Sequence, residues 1–427
     1  MQDGCRVSSA GGCASALANT RGSVKVGVPM QPLQSSQRAL LFALGVGVFI
    51  VSLDARVVAP LLPTIARDFG ISVAHAGWLV SGYTLPYGLC QLAYGPLADR
   101  YGKVYVASQA MVWFSVGTAL CGAFPSFGTI VLFRVLTGAA AAALIPLTIA
   151  YIGDTVPYER RQAALATLMA SSGAAQAFST SAGGTIAALV SWRTVFPILG
   201  ALAGLATIAL FVYRKHELRV AADPAAPRPT YPDALRVPGM LTLLGLVAWE
   251  GALYMGGFPF LSGLLETRFG LDSLQIGLLL GVTGIAQLAA ARLLPALLTR
   301  LSERQLLWVG GSAMGGAYLL SAVAPHWGWV AVACALVGAG FSMCHSTLQT
   351  RATEMFARGR ATAFSLFAFS LFSGSALGTV CIGYTTEVVG YGVTFAGAGL
   401  LLWLFTAMVV LKLGRRSKDE NTSALIV

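Results

Sequence analysis

Charged residues are scarce in this chain. Asp, Glu, Lys and Arg make up 11% of its 427 residues, whereas hydrophobic residues make up 56%. An ordinary soluble domain carries about 25% charged residues, because its hydrated surface needs them. The composition therefore excludes a soluble globular protein and indicates an integral helical membrane protein. The 49 glycines fit that class, since small residues let helices approach closely in a bilayer.

Several kinds of chemical site are also missing. The seven cysteines have no metal-ligand spacing, and most fall in apolar runs, where cysteine behaves as a small hydrophobic residue. No Gly-x-x-x-x-Gly-Lys-Ser/Thr phosphate loop is present, which argues against ATP hydrolysis as an energy source. No nucleophile and base form a recognisable set. We therefore expect no cofactor, no metal and no enzymatic activity.

The net charge of +11 reflects orientation in a membrane rather than binding of nucleic acid. Basic residues concentrate in alternate loops, and the loops between these carry only Arg67, Arg193 and Arg268. Lys and Arg are in excess in the cytoplasmic loops of membrane proteins. We therefore expect both termini in the cytoplasm and the basic loops facing anionic lipid. The length and the short loops fit a bacterial inner membrane.

Apolar runs long enough to cross the bilayer fill most of the sequence. About 20 residues suffice for one helical crossing of the hydrocarbon core. Twelve such spans are predicted, at residues 38–60, 75–97, 104–124, 127–152, 162–189, 194–213, 239–262, 274–297, 305–324, 328–349, 360–386 and 391–412.

One connection, at residues 214–238, is much longer than the others. It holds four prolines among charged residues, and proline at that density interrupts helices, so we predict a cytoplasmic linker. The two sides repeat each other at an offset near 200 residues, as Gly138 and Gly338 show. The predicted organisation is a disordered N-terminal tail without a signal-peptide core, a first six-helix bundle, the linker, a second bundle and a C-terminal tail, at 1–37, 38–213, 214–238, 239–412 and 413–427.

The loop at residues 95–103 reads Gly-Pro-Leu-Ala-Asp-Arg-Tyr-Gly-Lys. Its charges cannot lie in hydrocarbon, so the loop marks a membrane face. The pattern resembles the loop between helices two and three of the major facilitator superfamily, in its twelve-span drug:proton antiporter branch. The resemblance implies an all-α fold of two pseudo-symmetric six-helix bundles with alternating access. It also implies a latch between the halves, formed by Gly95, Asp99, Arg100, Gly102, Lys103 and Asp154.

Within this loop, Arg100 is expected to reach Asp154 at the end of the fourth span. Simple anchoring of the topology by positive charge is the alternative. The fifth span keeps Gly183-Gly184 of the antiporters, and Trp192-Arg193 follows, but the usual Gly-Pro is absent.

Two charges inside predicted spans are candidates for proton coupling. From the helical rise, Asp54 lies about 6 Å and Arg134 about 11 Å from the outer edge of the hydrocarbon core. Arg134-x-x-x-Gly138 also resembles the fourth-helix motif of drug:proton antiporters. We predict an Asp54–Arg134 pair whose protonation is coupled to transport. A static salt bridge, or an Asp54 that only wets the outer mouth, are the alternatives.

Two further residues complete the predicted site. Glu250 is the only acid deep in the second half, and an isolated carboxylate there suits proton exchange or binding of a cationic substrate. A neutral Glu250 hydrogen-bonded between helices is the alternative. His345 is a candidate proton relay or a capping residue. Arg56 is expected to extend to the outer interface.

Together these features predict a proton-coupled transporter that exports a small organic compound, a drug or a metabolite. Its partners would be the solute, protons and the lipid bilayer, without nucleic acid, and it is expected to act as a monomer. The missing Gly-Pro leaves open an uptake symporter or facilitator of the same fold. A non-transporting sensor on a transporter scaffold is the second alternative.

Overall fold

The computed structural model describes residues 35–216 and 230–413. The predicted terminal tails and the middle of the predicted linker therefore lie almost entirely outside the described residues. Every regular element within the described ranges is a helix, and most connections are short turns. The prediction of an all-α fold is confirmed.

The first half contains nine α-helices, named α1 to α9 in chain order. They are Ser35–Val57, Leu62–Phe69, Val73–Ala76, Trp78–Tyr101, Lys103–Cys121, Phe127–Ala141, Leu144–Thr155, Tyr158–Leu189 and Trp192–Tyr213. A 3-10 turn at Ala59–Leu61 joins α1 to α2, and together they form the first span. The fourth span consists of α6 and α7, while α4, α5, α8 and α9 are the second, third, fifth and sixth. Helix α3 is a single turn.

The second half contains seven α-helices, α10 to α16. They are Tyr231–Leu235, Met240–Glu250, Leu261–Phe269, Ser273–Leu298, Glu303–Val323, Trp327–Met355 and Arg360–Leu413. Helix α11 continues through a π-helical turn at Gly251–Met255 and a 3-10 turn at Phe258–Phe260 into α12, and this is the seventh span. Helices α13, α14 and α15 are the eighth to tenth spans.

Twelve crossings follow from these helices. Nine stretches of the described chain are long and apolar enough to cross a membrane. The last of them holds Gly390 in a non-helical conformation, at φ 78° and ψ 164°, so α16 makes two crossings. Helices α4 and α8 are more polar but have crossing length, with 24 and 32 residues. The predicted number of spans is confirmed.

The internal repeat is visible in the packing. In the first half, a Cβ atom on Gly138 would collide with the carbonyl oxygen of Tyr83. In the second half, a Cβ on Gly338 would collide in the same way with the carbonyl oxygen of Thr283. Both pairs are 200 residues apart in number, so each half brings its fourth helix onto its second through the same glycine contact.

The two halves meet tightly at one end of the bundle, here called the closed face. Arg67 and Glu266 form an ion pair there, and the hydroxyls of Thr64 and Ser273 lie 2.7 Å apart. Helix α8 packs on α13, and α4 packs on α16. A Cβ on Gly277 would lie 2.9 Å from the Cα of Gly184, so two glycines permit the first of these contacts.

At the opposite end, here called the open face, helices α4 and α13 have almost no buried residues. Ala98 is the only buried residue between positions 92 and 101 of α4. Between positions 291 and 300, which hold the end of α13, no residue is buried. Their closed-face halves, by contrast, contain most of their buried residues. The halves are therefore closed at one face and separated at the other.

The end of the predicted linker is helical rather than irregular. Pro232 lies in the first turn of α10, where the missing N–H of proline leaves no hydrogen bond unmade. Thr230 and Asp233 form a capping box, and hydrogen bonds from Thr230 lower the pKa of Asp233 below its usual value. The Tyr231 hydroxyl donates to the carbonyl of Leu92, at 2.9 Å, and so ties α10 to α4 at the open face.

The glycine contacts predict a stability difference. We expect Gly138→Ala and Gly338→Ala each to lower the thermal midpoint of the purified protein in detergent, because the added methyl group collides with a backbone carbonyl. A collision of this kind costs about 1–3 kcal/mol. Gly45→Ala is the matched control, since nothing lies within 4 Å of its added Cβ. Equal midpoints for all three variants would contradict the packing described here.

Candidate functional site

A buried ion pair joins the first and fourth spans. Arg134 Nη1 on α6 donates to Asp54 Oδ2 on α1, at 2.7 Å, and Arg134 Nε donates to the carbonyl of Leu79, at 3.2 Å. The side chains are 1% and 0% exposed, so solvent in this conformation reaches neither. The predicted pair is present, and its role in coupling stays a prediction.

Tyr83 on α4 forms the third side of this site. The Arg134 guanidinium carbon lies 4.2 Å from the centre of the Tyr83 ring, a cation–π contact. Gly138, one turn after Arg134, is the residue that allows α6 to approach α4 at Tyr83. The spacing Arg-x-x-x-Gly thus has a physical reason, since the glycine brings the arginine within reach of its partners.

Two hydrogen-bonding atoms of the site remain unused. Asp54 Oδ1 and the Tyr83 hydroxyl are buried and have no hydrogen-bond partner among the described residues. Most buried polar atoms in proteins are paired. A carboxylate oxygen without a donor is an atom that can accept a hydrogen bond or a proton.

The second half contains a different acid–base pair. His345 Nδ1 on α15 lies 3.2 Å from Glu250 Oε2 on α11, and Glu250 is fully buried while the His345 side chain is 19% exposed. Phe341 and Phe367 hold the imidazole ring, at centroid distances of 4.6 and 5.0 Å. The expectation of an isolated Glu250 is therefore wrong.

The position of His345 also excludes the capping role. It lies well inside Trp327–Met355, far from either end of that helix. Glu250 is instead bonded between two helices, as one of the alternatives proposed. No local pattern in the sequence indicates this pair, because the partners are 95 residues apart.

Arg56 does not extend to the membrane interface as predicted. Its Nη1 donates to the hydroxyl of Tyr254 across the two halves, at 3.0 Å. Its guanidinium carbon also lies 5.5 Å from the Tyr254 ring centre and 5.3 Å from that of Phe258. Arg56 thus turns inward to the second half, because aromatic rings and a phenolic oxygen there replace the water it would meet at the interface.

The loop at the open face differs from the prediction in its ion pair. Lys103, not Arg100, pairs with Asp154. Lys103 begins α5 beside the end of α7, whereas Arg100 is exposed and lies 5.3 Å from the ring of Tyr101. Gly102, between α4 and α5, has a φ of 99°, a conformation that favours glycine. Asp99 is exposed at the end of α4, and Gly95 lies in open space.

A counterpart of this ion pair occurs in the second half. Arg351 Nε on α15 donates to Glu303 Oε2 at the start of α14, at 2.8 Å. Glu303 stands 200 residues after Lys103, so the repeat carries an ion pair at the same place with the signs of charge reversed. The offset of the repeat leads to Glu303 but not to its partner, because the position 200 residues after Asp154 is Glu354 rather than Arg351.

The chain matches a family model described as Major Facilitator Superfamily, over residues 44–379 and 258–425. An uncharacterized MFS-type transporter of Bacillus subtilis, YceJ, is 25% identical over 386 residues, which are 88% of this chain and 96% of that protein. The efflux pump roqT of Penicillium rubens is 30% identical over 229 residues, 52% of this chain and 42% of the pump.

A solved structure of the nucleoside transporter NupG resembles this chain in fold. The TM-score is 0.71 at 14% sequence identity, and the match covers 86% of this chain and 99% of that one. Identity this low supports the fold alone.

The buried ion pair predicts that removing one partner destabilises the protein more than removing both. Asp54→Asn leaves the Arg134 charge uncompensated in a dry site, and breaking a buried pair in this way costs about 3–5 kcal/mol. We expect the double variant with Arg134→Gln to be more stable than Asp54→Asn alone. Thermal unfolding of the purified variants in detergent measures the stability of the single and double variants. A double variant that loses the sum of the two single effects would contradict direct pairing.

Proposed function

The chain belongs to the Major Facilitator Superfamily, and on this premise we propose that it exports a small organic compound in exchange for protons by alternating access. Members of that family are multi-pass membrane proteins that transport small solutes. The observation that carries the proposal is the buried Asp54–Arg134 pair with its unused carboxylate oxygen. The name of the roqT relative, an efflux pump, supports export.

The distribution of charge orients the protein in this proposal. The open face carries the basic residues of the alternate loops, among them Arg100, Lys103, Arg300 and Arg360. Excess basic residues favour the cytoplasmic side. We assign the open face to the cytoplasm, and the described conformation is then inward-facing, with its closed face toward the outside.

Proton exchange at Asp54 would follow from opening the closed face. In the inward-facing state the carboxylate is buried against Arg134 and has no contact with water. Separation of the halves at the closed face would break the contacts of Arg67 with Glu266 and of Thr64 with Ser273. Water from outside could then deliver a proton to Asp54, and the protonated acid would no longer hold Arg134.

Glu250 and His345 would provide the second proton site. His345 is part-exposed while Glu250 is fully buried, so the imidazole can pass a proton between water and the carboxylate. Each half would then hold one acidic side chain next to one basic side chain, Asp54 with Arg134 and Glu250 with His345.

The ion pairs at the open face would keep each half rigid as the halves rock. Lys103–Asp154 joins the third and fourth spans, and Glu303–Arg351 joins the ninth and tenth. Neither pair crosses between the halves in this conformation. The latch between the halves, with Asp99 and Arg100, would form when the open face closes.

Proton movement in inverted membrane vesicles tests the proposal. Addition of a substrate from a panel of lipophilic cations, organic anions and neutral compounds should release protons from energised vesicles, seen as fluorescence recovery of a pH-sensitive dye. We expect Asp54→Asn and Glu250→Gln to abolish this response at equal protein levels. Glu354→Gln is the control, because this acid is exposed near the open face.

The alternatives give other results. Substrate flux without proton release would indicate a facilitator, and proton uptake together with substrate would indicate a symporter. A cellular phenotype that survives substitution of Asp54, of Glu250 and of Arg134 would indicate a non-transporting sensor.

A further inference from the structure

We propose that the transported compound is an organic anion, and that Arg56 binds its carboxylate between the two halves. This inference rests on the proposed function and adds the chemical class of the substrate. It begins with a small cavity of about 30 Å³ at the junction of the first, second, seventh and eleventh spans. Arg56, Thr84, Phe258 and Ser375 are among its lining residues.

The charges around this cavity favour an anion. None of the ten described residues that line it is acidic, and Arg56 is the one charged side chain among them. Asp54, two positions before Arg56 on α1, is fully buried against Arg134. Residues two apart on a helix do not share a face. The Arg56 charge is therefore not compensated by a carboxylate of the described chain.

Glu250, four positions before Tyr254, is not available to a cationic substrate either. Glu250 is 0% exposed and bonded to His345. A cation at this cavity would thus meet Arg56 without meeting a carboxylate among the lining residues. The charge of an organic anion at this cavity would instead be compensated by the Arg56 guanidinium.

The hydrogen-bonding groups fit a carboxylate. A guanidinium has five N–H donors in a planar fork, and Arg56 uses one of them on Tyr254. The Ser375 side chain is 1% exposed, and its hydroxyl has no hydrogen-bond partner among the described residues. It supplies a buried donor at the same cavity. Tyr254 accepts the bond from Arg56 and keeps its own proton for donation.

The surroundings favour an apolar, aromatic body on this anion. The Tyr254 ring stacks on Phe341 with centroids 4.2 Å apart, and Phe258 follows at 6.1 Å. The cavity as described has room for only a few water molecules. The carboxylate would therefore enter as the Arg56–Tyr254 bond opens, and the body of the substrate would take the space between the separating halves.

The charge balance gives this class of substrate a distinct signature. One monoanion carried out and one proton carried in transfer two positive charges inward per cycle. Export would then be driven by the membrane potential as well as by the pH gradient, whereas exchange of a monovalent cation for one proton moves no net charge.

Binding of three matched probes tests the inference. Purified full-length protein in detergent is titrated with 1-naphthoate, 1-naphthamide and 1-naphthylmethylammonium, and binding is measured as a rise in the thermal midpoint. We expect naphthoate alone to stabilise the protein. Arg56→Gln should abolish that shift, Arg56→Lys should weaken binding about tenfold, and Ser375→Ala should weaken it severalfold. Arg236→Gln, an exposed residue away from the cavity, should leave it unchanged.

The outcomes separate the two proposals. Stabilisation by the ammonium or the amide that is equal in wild type and Arg56→Gln would overturn the assignment of Arg56. So would naphthoate binding that survives Arg56→Gln and Ser375→Ala. Proton release from vesicles with the ammonium probe alone would keep the antiport and overturn the anion. Arg56-dependent naphthoate binding without proton release would keep the anion site and overturn the antiport.

Discussion

The structure depends on one constraint: a charge placed between apolar spans needs a partner of its own. Arg134 is the largest fully buried side chain in the described ranges, and three groups compensate its charge. Asp54 supplies the anion, Leu79 a carbonyl and Tyr83 a ring face. These partners come from two helices, α1 and α4, and Arg134 itself lies on a third, α6. The pair therefore fixes how the first, second and fourth spans pack, and any proton that neutralises Asp54 acts on all three.

The duplication places equivalent contacts in both halves but different chemistry. Gly138 and Gly338 make the same backbone contact, and the open-face ion pairs occupy the same place with opposite charges. The position 200 residues after Asp54, however, is Tyr254, which binds Arg56 from the other half. In the proposed mechanism, a symmetric frame of this kind would let the halves rock as rigid bodies, while the unequal residues would give the site its direction and specificity.

The fold could be predicted from the sequence, because apolar runs, basic loops and the repeat are all local patterns or patterns of constant offset. The Asp54–Arg134 pair was predictable too, since the depth of each residue follows from its place in a helix. The contacts of Arg56 and His345 were not predicted. Each joins two helices, and the relative orientation of two helices does not follow from the residue pattern of either one. The choice of Lys103 rather than Arg100 depends on where α4 ends, within one turn. Such details require the packed structure.

The central claim is that Asp54 changes its protonation during transport. Infrared difference spectroscopy of the purified protein, recorded between high and low pH and with and without substrate, detects the C=O stretch of a protonated carboxyl group. The band assigned to Asp54 would be the one that Asp54→Asn removes. We predict that this band grows at low pH and is lost when substrate binds. A spectrum in which Asp54→Asn removes no band under any of these conditions would show a permanently ionised acid and a static salt bridge, contradicting the proposed mechanism.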